Sequence, residues 1–230
     1  MKLPTPLLRG TLLKRYKRFL ADVELEDGRR VTAHTPNTGS MQQCAVPGHT
    51  VLLSESDNPK RKLAYTLELI RVDGSWVDTH TLRANRVVEE ALRAGGLEGL
   101  AGFRVQPEYR FGDSRIDFLL DGSDEQVLVE VKNVTLCCQP GIACFPDAVT
   151  TRGQKHLREL MAAVAQGYRA VILFLVQRAE AVGFAPADAI DPEYGRLLRE
   201  AIAAGVEPLA CQTETSPDEV RIVRTLPLKL

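Results

Sequence analysis

Two strand-like segments decide the fold: residues 114–120, with the sequence SRIDFLL, and residues 128–134, with the sequence LVEVKNV. Successive side chains of a strand point to opposite faces, so Glu130 and Lys132 share one face of the second segment and its valines share the other. A hairpin of the two segments brings Asp117 close to both at one edge of a sheet. Charges on such apolar strands carry a desolvation cost, so we expect them to be paired or occupied by a ligand.

This set of side chains suits the hydrolysis of a phosphodiester bond. Two carboxylates and a backbone carbonyl can hold Mg²⁺ or Mn²⁺, which polarises the phosphate and activates water. The lysine can orient that water or stabilise the developing negative charge. We therefore predict that Asp117, Glu130 and Lys132 are catalytic and that the two carboxylates bind the metal. A structural Glu130–Lys132 ion pair on a half-exposed strand is the alternative.

A predicted helix before the sheet carries Glu89 and Glu90, either of which could add a carboxylate to this site. We choose Glu89 as a further metal ligand because it lies one turn from Arg86. The alternative for both residues is a solvated helix face.

The segment after the second strand, residues 145–160 (FPDAVTTRGQKHLREL), contains a predicted helix start. Arg152, Lys155 and His156 fall in its first turns. Cations oppose the helix dipole at this end, which makes a purely structural role weaker. Because backbone N–H groups at a helix start bind anions, we predict that Arg152 and Lys155 contact phosphate.

The rest of the chain divides into two parts near residue 81. Residues 1–80 contain short strand-like runs separated by Gly, Pro and Asn turns, which is typical of a small OB-like barrel; a sandwich gives a similar pattern. Residues 81–230 alternate helices and strands, which predicts an α/β domain with a mixed sheet. The strand-like runs are residues 11–25, 29–35, 49–56, 64–72, 103–111, 114–120, 126–134 and 170–176, and the predicted helices are residues 82–93, 152–166 and 192–204.

The net charge of −1 hides an uneven distribution. The first part carries 12 basic and 9 acidic side chains, and the second carries 17 and 21. The run KRYKRF, residues 14–19, can neutralise phosphates with its cations and stack an aromatic ring on a base. A solvated basic edge with both aromatics in the core is the alternative. The residues predicted to bind nucleic acid here are Lys14, Arg15, Tyr16, Lys17 and Arg18.

Cysteine usage and hydropathy indicate a cytoplasmic protein. Five unevenly spaced cysteines without a CxxC pair disfavour a zinc site, and in a reducing compartment we expect free thiols. No apolar stretch of about 18 residues is present, so no membrane span is predicted. Prolines and an arginine interrupt the N-terminus before a signal-peptide core can form.

Six blocks in order resemble the sugar fermentation stimulation protein A family, over most of the chain. They are RYKRFLADV (15–23), HTPNTGSM (34–41), NPKRKLAYTLELI (58–70), SRIDFLL (114–120), EVKNVTL (130–136) and FPDAVTTRGQKHLREL (145–160). The resemblance implies an OB-like domain at residues 1–80 and a domain similar to PD-(D/E)xK nucleases at residues 81–230. It also implies DNA binding without strong sequence preference and a link to regulation of maltose metabolism.

The resemblance assigns Asp117 to the first acid of the nuclease motif, Glu130 to the second and Lys132 to its lysine. The block HTPNTGSM has no chemistry that the residues define, and a structural turn is favoured over a phosphate-binding loop. His80 stands where members of the family tend to have Asn. The stretch 137–144, with three of the cysteines, varies in the family.

We therefore expect a DNA-binding protein with a nuclease-like domain. The alternative is a Mg²⁺- or Mn²⁺-dependent nuclease acting on single- or double-stranded DNA or on RNA. A sugar-binding regulator has little support, because sugar sites present aromatic platforms and the chain has one tryptophan, Trp76.

Overall fold

The computed structural model describes all 230 residues and begins with a β-barrel. The strand order is β3-β2-β1-β4-β5-β6, and β3 also pairs with β5, which closes five strands into the predicted OB barrel. The strands are β1 (Leu7–Tyr16), β2 (Leu20–Leu25), β3 (Arg30–His34), β4 (Thr50–Glu55), β5 (Tyr65–Val72) and β6 (Ser75–Asp78). Alternate residues of these strands, including Leu12, Val23 and Leu53, fill the barrel interior.

The run predicted as a single strand over residues 11–25 is in fact the β1–β2 hairpin. Its turn places Lys17 and Arg18 at φ angles of 50° and 66°, in the left-handed region. The sequence offers no Gly or Asn at this turn, which is why the local pattern concealed it. The basic run therefore wraps around an exposed turn, and Phe19 is 47% exposed rather than part of the core.

The second part forms a mixed six-stranded sheet of order β15-β14-β12-β9-β8-β7, as the α/β pattern predicts, and a small sheet of order β10-β11-β13. Strands β9, β12 and β14 run parallel, and the remaining pairs of the large sheet are antiparallel. The elements are α1 (Thr81–Arg93), β7 (Arg104–Phe111), β8 (Ser114–Asp121), β9 (Gln126–Val134), β10 (Leu136–Gln139), β11 (Ile142–Phe145), α2 (Thr151–Ala165), β12 (Arg169–Val176), β13 (Gly183–Pro186), α3 (Pro192–Ala203), β14 (Glu207–Thr215) and β15 (Val220–Thr225).

Both faces of the large sheet are covered. Leu128, Ile172 and Phe174 pack on one face beneath α2 and α3. Val129 and Leu173 point to the other face, where they join a core that includes α1 and side chains of the barrel. Strand β12 is buried on both sides, as its continuous apolar run predicts. Because the barrel shares this second core, it is fixed against the α/β domain. No helix has the length and hydropathy that a membrane crossing requires.

The expectation of free thiols is wrong for two of the five cysteines. Cys138 and Cys144 form a disulfide, and Cys44, Cys137 and Cys211 are free. The physical reason is the β10–β11 hairpin, which brings the two Cα atoms to 5.9 Å, within the range that a disulfide spans. A separation of six residues did not indicate this hairpin.

A buried ion cluster joins the barrel to the helix that follows it. Arg83 of α1 pairs with Glu68 of β5 and, at 2.9 Å, with Asp78 at the end of β6. All three side chains are almost fully buried. Burial raises the pKa of Asp78 to about 7 even though the Arg83 guanidinium lowers it. Arg83 therefore supplies the positive charge that offsets the cost of burying two carboxylates.

Replacement of this arginine by methionine should destabilise the protein strongly. Arg83→Met leaves two buried carboxylates without a counter-charge, and we expect the free energy of unfolding in urea at pH 8 to fall by about 3–5 kcal/mol. Arg86→Met, on the exposed face of the same helix, is the matched control and should change it by less than about 0.5 kcal/mol. Equal effects of the two substitutions would contradict this role.

Candidate functional site

A cavity of about 850 Å³ lies between the barrel and the α/β domain. Its walls come from the barrel loop 37–42, the start of α1, strands β8 and β9, and the segment from Cys144 to the first turns of α2. The three residues predicted to be catalytic, Asp117, Glu130 and Lys132, all line it. The spacing of the two strand segments therefore places the charged set at a cleft between domains.

The β8–β9 hairpin shows how these residues come together. Its ladder ends at the pair Phe118 and Val129. Beyond that point, the Asp117 side chain takes the place of the β8 backbone as hydrogen-bond acceptor for β9. Its Oδ2 accepts the N–H of Val131 at 2.8 Å. Its Oδ1 accepts a hydrogen bond from Asn85 Nδ2 at 2.6 Å. The first carboxylate is thus held in one orientation from both sides.

The second carboxylate is buried against two nitrogen groups. Glu130 has a side chain only 3% exposed, and its Oε1 accepts a hydrogen bond from Lys132 Nζ at 2.6 Å. The same oxygen is bonded to His156 Nδ1, from the first turns of α2. Burial would raise the pKa of Glu130, but the charge of Lys132 and the bond from His156 outweigh it and lower that pKa. Glu130 is therefore held as a carboxylate.

His156 also connects this carboxylate to a cation. Arg152 Nε donates to His156 Nε2 at 3.3 Å, so Nε2 is the acceptor and the ring proton lies on Nδ1, facing Glu130. The chain Glu130–His156–Arg152 fixes the orientation of the arginine, which lines the cavity. From the sequence, His156 falls in the first turns of the helix, and no role was predicted for it. Its i, i+4 spacing from Arg152 was the available signal.

The two carboxylates of this site supply oxygens, the ligand type that hard divalent cations prefer, whereas no cluster of three or more His, Cys, Asp or Glu side chains that could hold a metal is present in the structure. Glu130 lines the cavity, and its Oε2 is buried without a hydrogen-bond partner. Burial raises the pKa of Asp117 to about 6, and the nearby negative charge of Glu130 contributes to this increase. Two carboxylates whose charges oppose each other favour a cation between them. If a Mg²⁺ ion were held by these two carboxylates, water or phosphate oxygens would have to supply its remaining ligands.

Glu89, predicted as a further metal ligand, does not reach the cavity. It pairs with Arg93 at 2.8 Å on the outer side of α1. The residue of α1 that contacts Asp117 is Asn85, one turn earlier. Glu89 was chosen for its charge, whereas the direction in which α1 packs on the sheet puts an amide at this position.

The basic run divides between the cavity and other contacts. Tyr16 and Arg18 line the cavity, and Lys17 is exposed at the turn. Lys14 lies 3.4 Å from Asp22 and 5.0 Å from the centre of the Tyr16 ring. Of these cations, Lys17 and Arg18 have side chains without an ion pair. They are the members of the run best placed to meet a phosphate.

Arg15, predicted to contact nucleic acid, lines the cavity and also makes structural contacts. Its guanidinium donates to the carbonyl oxygens of Asn37 at 2.8 Å, Gly39 at 2.9 Å and Ser40 at 3.1 Å. These are the residues of the block HTPNTGSM, which forms the predicted tight turn with Asn37 Oδ1 accepting the N–H of Gly39. Arg15 therefore holds the barrel loop that forms one wall of the cavity.

The two cations at the start of α2 have different positions. Arg152 lines the cavity, as described above. Lys155 lies outside it, 3.5 Å from Glu159 of the next turn and 3.5 Å from the carbonyl of Asp113. The structure thus brings one of the two predicted phosphate contacts to the site.

Fold and site together define a class of protein: an OB barrel followed by a mixed-sheet α/β domain, with an acidic and basic cluster in the cleft between them. Residues 13–78 match the model of the SfsA N-terminal OB domain, and residues 82–219 match that of the sugar fermentation stimulation protein RE domain. The chain belongs to the sugar fermentation stimulation protein (SfsA) family.

Similar proteins cover the whole chain. A sugar fermentation stimulation protein homolog of Syntrophotalea carbinolica is 69% identical over 100% of both chains. A homolog of Geobacter sulfurreducens is 56% identical over 99% of this chain and 98% of its own. The solved structure of Pyrococcus furiosus SfsA in complex with Ca²⁺ superposes with a TM-score of 0.91 at 29% identity, covering 100% of both chains.

The raised pKa of Asp117 predicts that this carboxylate costs stability at neutral pH. The folded-state pKa of Asp117 is about 6, whereas the ordinary value is 3.8. Below about pH 4 the group is protonated in both the folded and the unfolded protein, and the folded protein loses stability as the pH rises through 6. Asparagine has one side-chain acceptor where Asp117 has two, so Asp117→Asn loses one hydrogen bond at every pH. Relative to the wild type, the variant should nevertheless gain about 1–3 kcal/mol in the free energy of unfolding between pH 4 and pH 7.5 in EDTA, because only the wild type acquires the buried charge. A difference between the two proteins that stays constant over this pH range would contradict the assignment.

Proposed function

We propose that the protein binds nucleic acid and hydrolyses phosphodiester bonds in the cleft between its domains, with Mg²⁺ or Mn²⁺ as cofactor. The observation that carries the proposal is the buried Oε2 of Glu130, which has no hydrogen-bond partner and belongs to a residue that lines the same cavity as Asp117. Burial of a charged oxygen without a partner is costly, and a cation is the ligand that offsets that cost.

Asp117 and Glu130 are the residues that would hold the cation. When bound, it polarises a phosphate oxygen and lowers the pKa of a coordinated water. The structure of Pyrococcus furiosus SfsA was solved in complex with Ca²⁺, which supports a divalent cation as cofactor, because Ca²⁺ and Mg²⁺ both take oxygen ligands. Asn85 and the N–H of Val131 keep the Asp117 carboxylate oriented toward the cleft.

The cations of the cleft have complementary roles. Lys132, held by Glu130 at 2.6 Å, supplies a positive charge for the oxygen that becomes more negative during hydrolysis. Arg152, oriented by His156, offers N–H donors for a phosphate oxygen, for which the planar guanidinium is well suited. These roles account for burying Glu130, Lys132 and His156 at one point of the fold.

Binding of the strand itself is assigned to the rim of the cleft. Lys17 and Arg18 present unpaired charges at the β1–β2 turn, and Tyr16 offers a ring beside them. Phosphate contacts of this kind carry no sequence information, so we propose DNA binding without strong sequence preference; RNA presents the same phosphates. Through DNA binding we connect the chain to the sugar metabolism for which its relatives are named.

A protein that binds DNA without cutting it is the second candidate. It is favoured by the bonds from both Lys132 and His156 to one oxygen of Glu130, which already compensate the buried charge without a metal. Measuring binding and cleavage in the same samples separates the two functions.

Cleavage should depend on the charged set of the cleft. Labelled DNA and RNA, single- and double-stranded, are incubated with the protein and Mg²⁺ or Mn²⁺, and binding and cleavage are measured in the same samples. We expect Asp117→Asn and Lys132→Gln to lower the cleavage rate at least about 100-fold while binding changes little, because they remove electrostatic stabilisation rather than the binding surface.

Glu89→Gln is the comparison variant and should cleave at the wild-type rate, since Glu89 lies outside the cavity. Binding by the wild type without any cleavage, with either metal, would establish the second candidate in place of the nuclease.

The rim assignment predicts a specific change in salt dependence. Lys17→Ala combined with Arg18→Ala removes two phosphate contacts, so the slope of log K against log salt concentration should become shallower by about 1.4–1.8. Lys229→Ala, an exposed lysine away from the cavity, serves as control and should leave the slope unchanged. An unaltered slope in the double variant would remove the β1–β2 turn from the binding surface.

A further inference from the structure

We propose that the cleft accepts a single strand of nucleic acid, about two nucleotides at a time, and excludes intact duplex. This inference rests on the nucleic-acid function proposed above and specifies its substrate. It follows from the size of the cavity, from the rigidity of the wall that the barrel contributes, and from the chemistry of the lining.

The cavity is small for a polymer groove. Its volume of about 850 Å³ falls in the range of roughly 300–1,000 Å³ that encloses drug-sized ligands. A nucleotide lies at the small end of that size range, so the cavity has room for about two. A duplex carries a complementary strand opposite every base, so placing the bases of one strand in a space of this volume requires the base pairs to be opened.

The wall formed by the barrel loop is bonded to the opposite domain. Asp147, in the segment before α2, accepts the Met41 N–H through Oδ2 at 2.9 Å, and its carbonyl accepts the Ser40 hydroxyl at 2.7 Å. Gln42 Nε2 reaches the same carbonyl at 3.5 Å. Gly39 lies so close that an added Cβ would be 3.0 Å from Asp147 Oδ2. The two domains therefore meet across the cleft.

The same loop is fixed from its own side. The Arg15 guanidinium binds three of its carbonyl oxygens, and Asn37 Nδ2 donates to the carbonyl of Thr79 at 3.0 Å in a buried bond. Moving the wall to admit a duplex would break the bonds to Asp147, while the bonds on the loop's own side hold its shape. Because a partly buried polar group that loses its partner costs free energy, these contacts favour the closed form.

The lining suits exposed bases better than paired ones. Beside the catalytic charges it presents amide and hydroxyl groups, such as Gln42 and Asn133, and the rings of Tyr16 and Phe145. Amides bond the Watson–Crick edges that are free in a single strand, and aromatic rings stack on unpaired bases. A paired strand shows neither the free edge nor the open face.

The test measures binding by fluorescence anisotropy in Ca²⁺, so that the readout does not depend on cleavage. The probes are a labelled 12-nucleotide DNA strand, the same strand annealed to its complement, and the RNA strand of the same sequence. We expect the single DNA strand to bind at least tenfold more tightly than the duplex; the RNA arm shows which sugar is preferred. Equal or tighter binding of the duplex overturns the inference and leaves the proposed function standing.

Variants with larger side chains in the cavity test whether the strand binds there. Ala148 and Val149 are exposed residues of its wall, and Ala148→Trp and Val149→Trp should each weaken single-strand binding at least fivefold. Ala189→Trp, at an exposed turn outside the cavity, is the matched control and should bind as the wild type does. If both wall variants bind the strand normally, the strand lies elsewhere and the inference fails. If no probe binds in Ca²⁺, the proposed function fails with it.

Discussion

The buried carboxylate of Glu130 is the constraint on which the rest of the structure depends. A charge this deeply buried must be compensated, and it is met by Lys132 two residues further along the same strand face and by His156 from α2. The histidine can reach it only if α2 packs on that face of the sheet. This placement in turn brings the start of α2, with Arg152, to the cleft. One electrostatic requirement thereby links the sheet, the helix and the site.

The barrel completes the site rather than being attached beside it. It shares an apolar core with the large sheet, and the Arg83 ion cluster ties β5 and β6 to α1. At the cleft, Arg15 donates hydrogen bonds to the barrel loop from the barrel side, and Asp147 accepts a hydrogen bond from the same loop on the side of the α/β domain. Because these contacts are buried or use several hydrogen bonds each, the cavity has a defined shape in the absence of any ligand.

Local patterns predicted much of this. Alternation along residues 128–134 placed Glu130 and Lys132 on one face, and the helical periods located α1, α2 and α3 within a residue or two. The β1–β2 turn was missed because Lys17 and Arg18 adopt left-handed conformations that their residue types rarely indicate. Glu89 was chosen over Glu90 because it lies one turn from Arg86, which does not indicate how α1 packs on the sheet. Arg15 was chosen for its place in a basic run, although its guanidinium also binds backbone oxygens far along the chain. The Cys138–Cys144 disulfide depends on a short hairpin that the pattern did not show.

Strand and helix periods and short spacings are local properties, so they were sufficient to predict an OB-like barrel, a mixed-sheet α/β domain, the three helices, and the acidic pair with its lysine. The β1–β2 turn, the small sheet of β10, β11 and β13, and the partners that complete the site depend on tertiary packing. Asn85 meets Asp117 across 32 residues, His156 meets Glu130 across 26, and Ser40 meets Asp147 across 107. Such contacts depend on how the sheet, the helices and the barrel pack together. A local sequence pattern does not specify which side chains from distant parts of the chain come into contact.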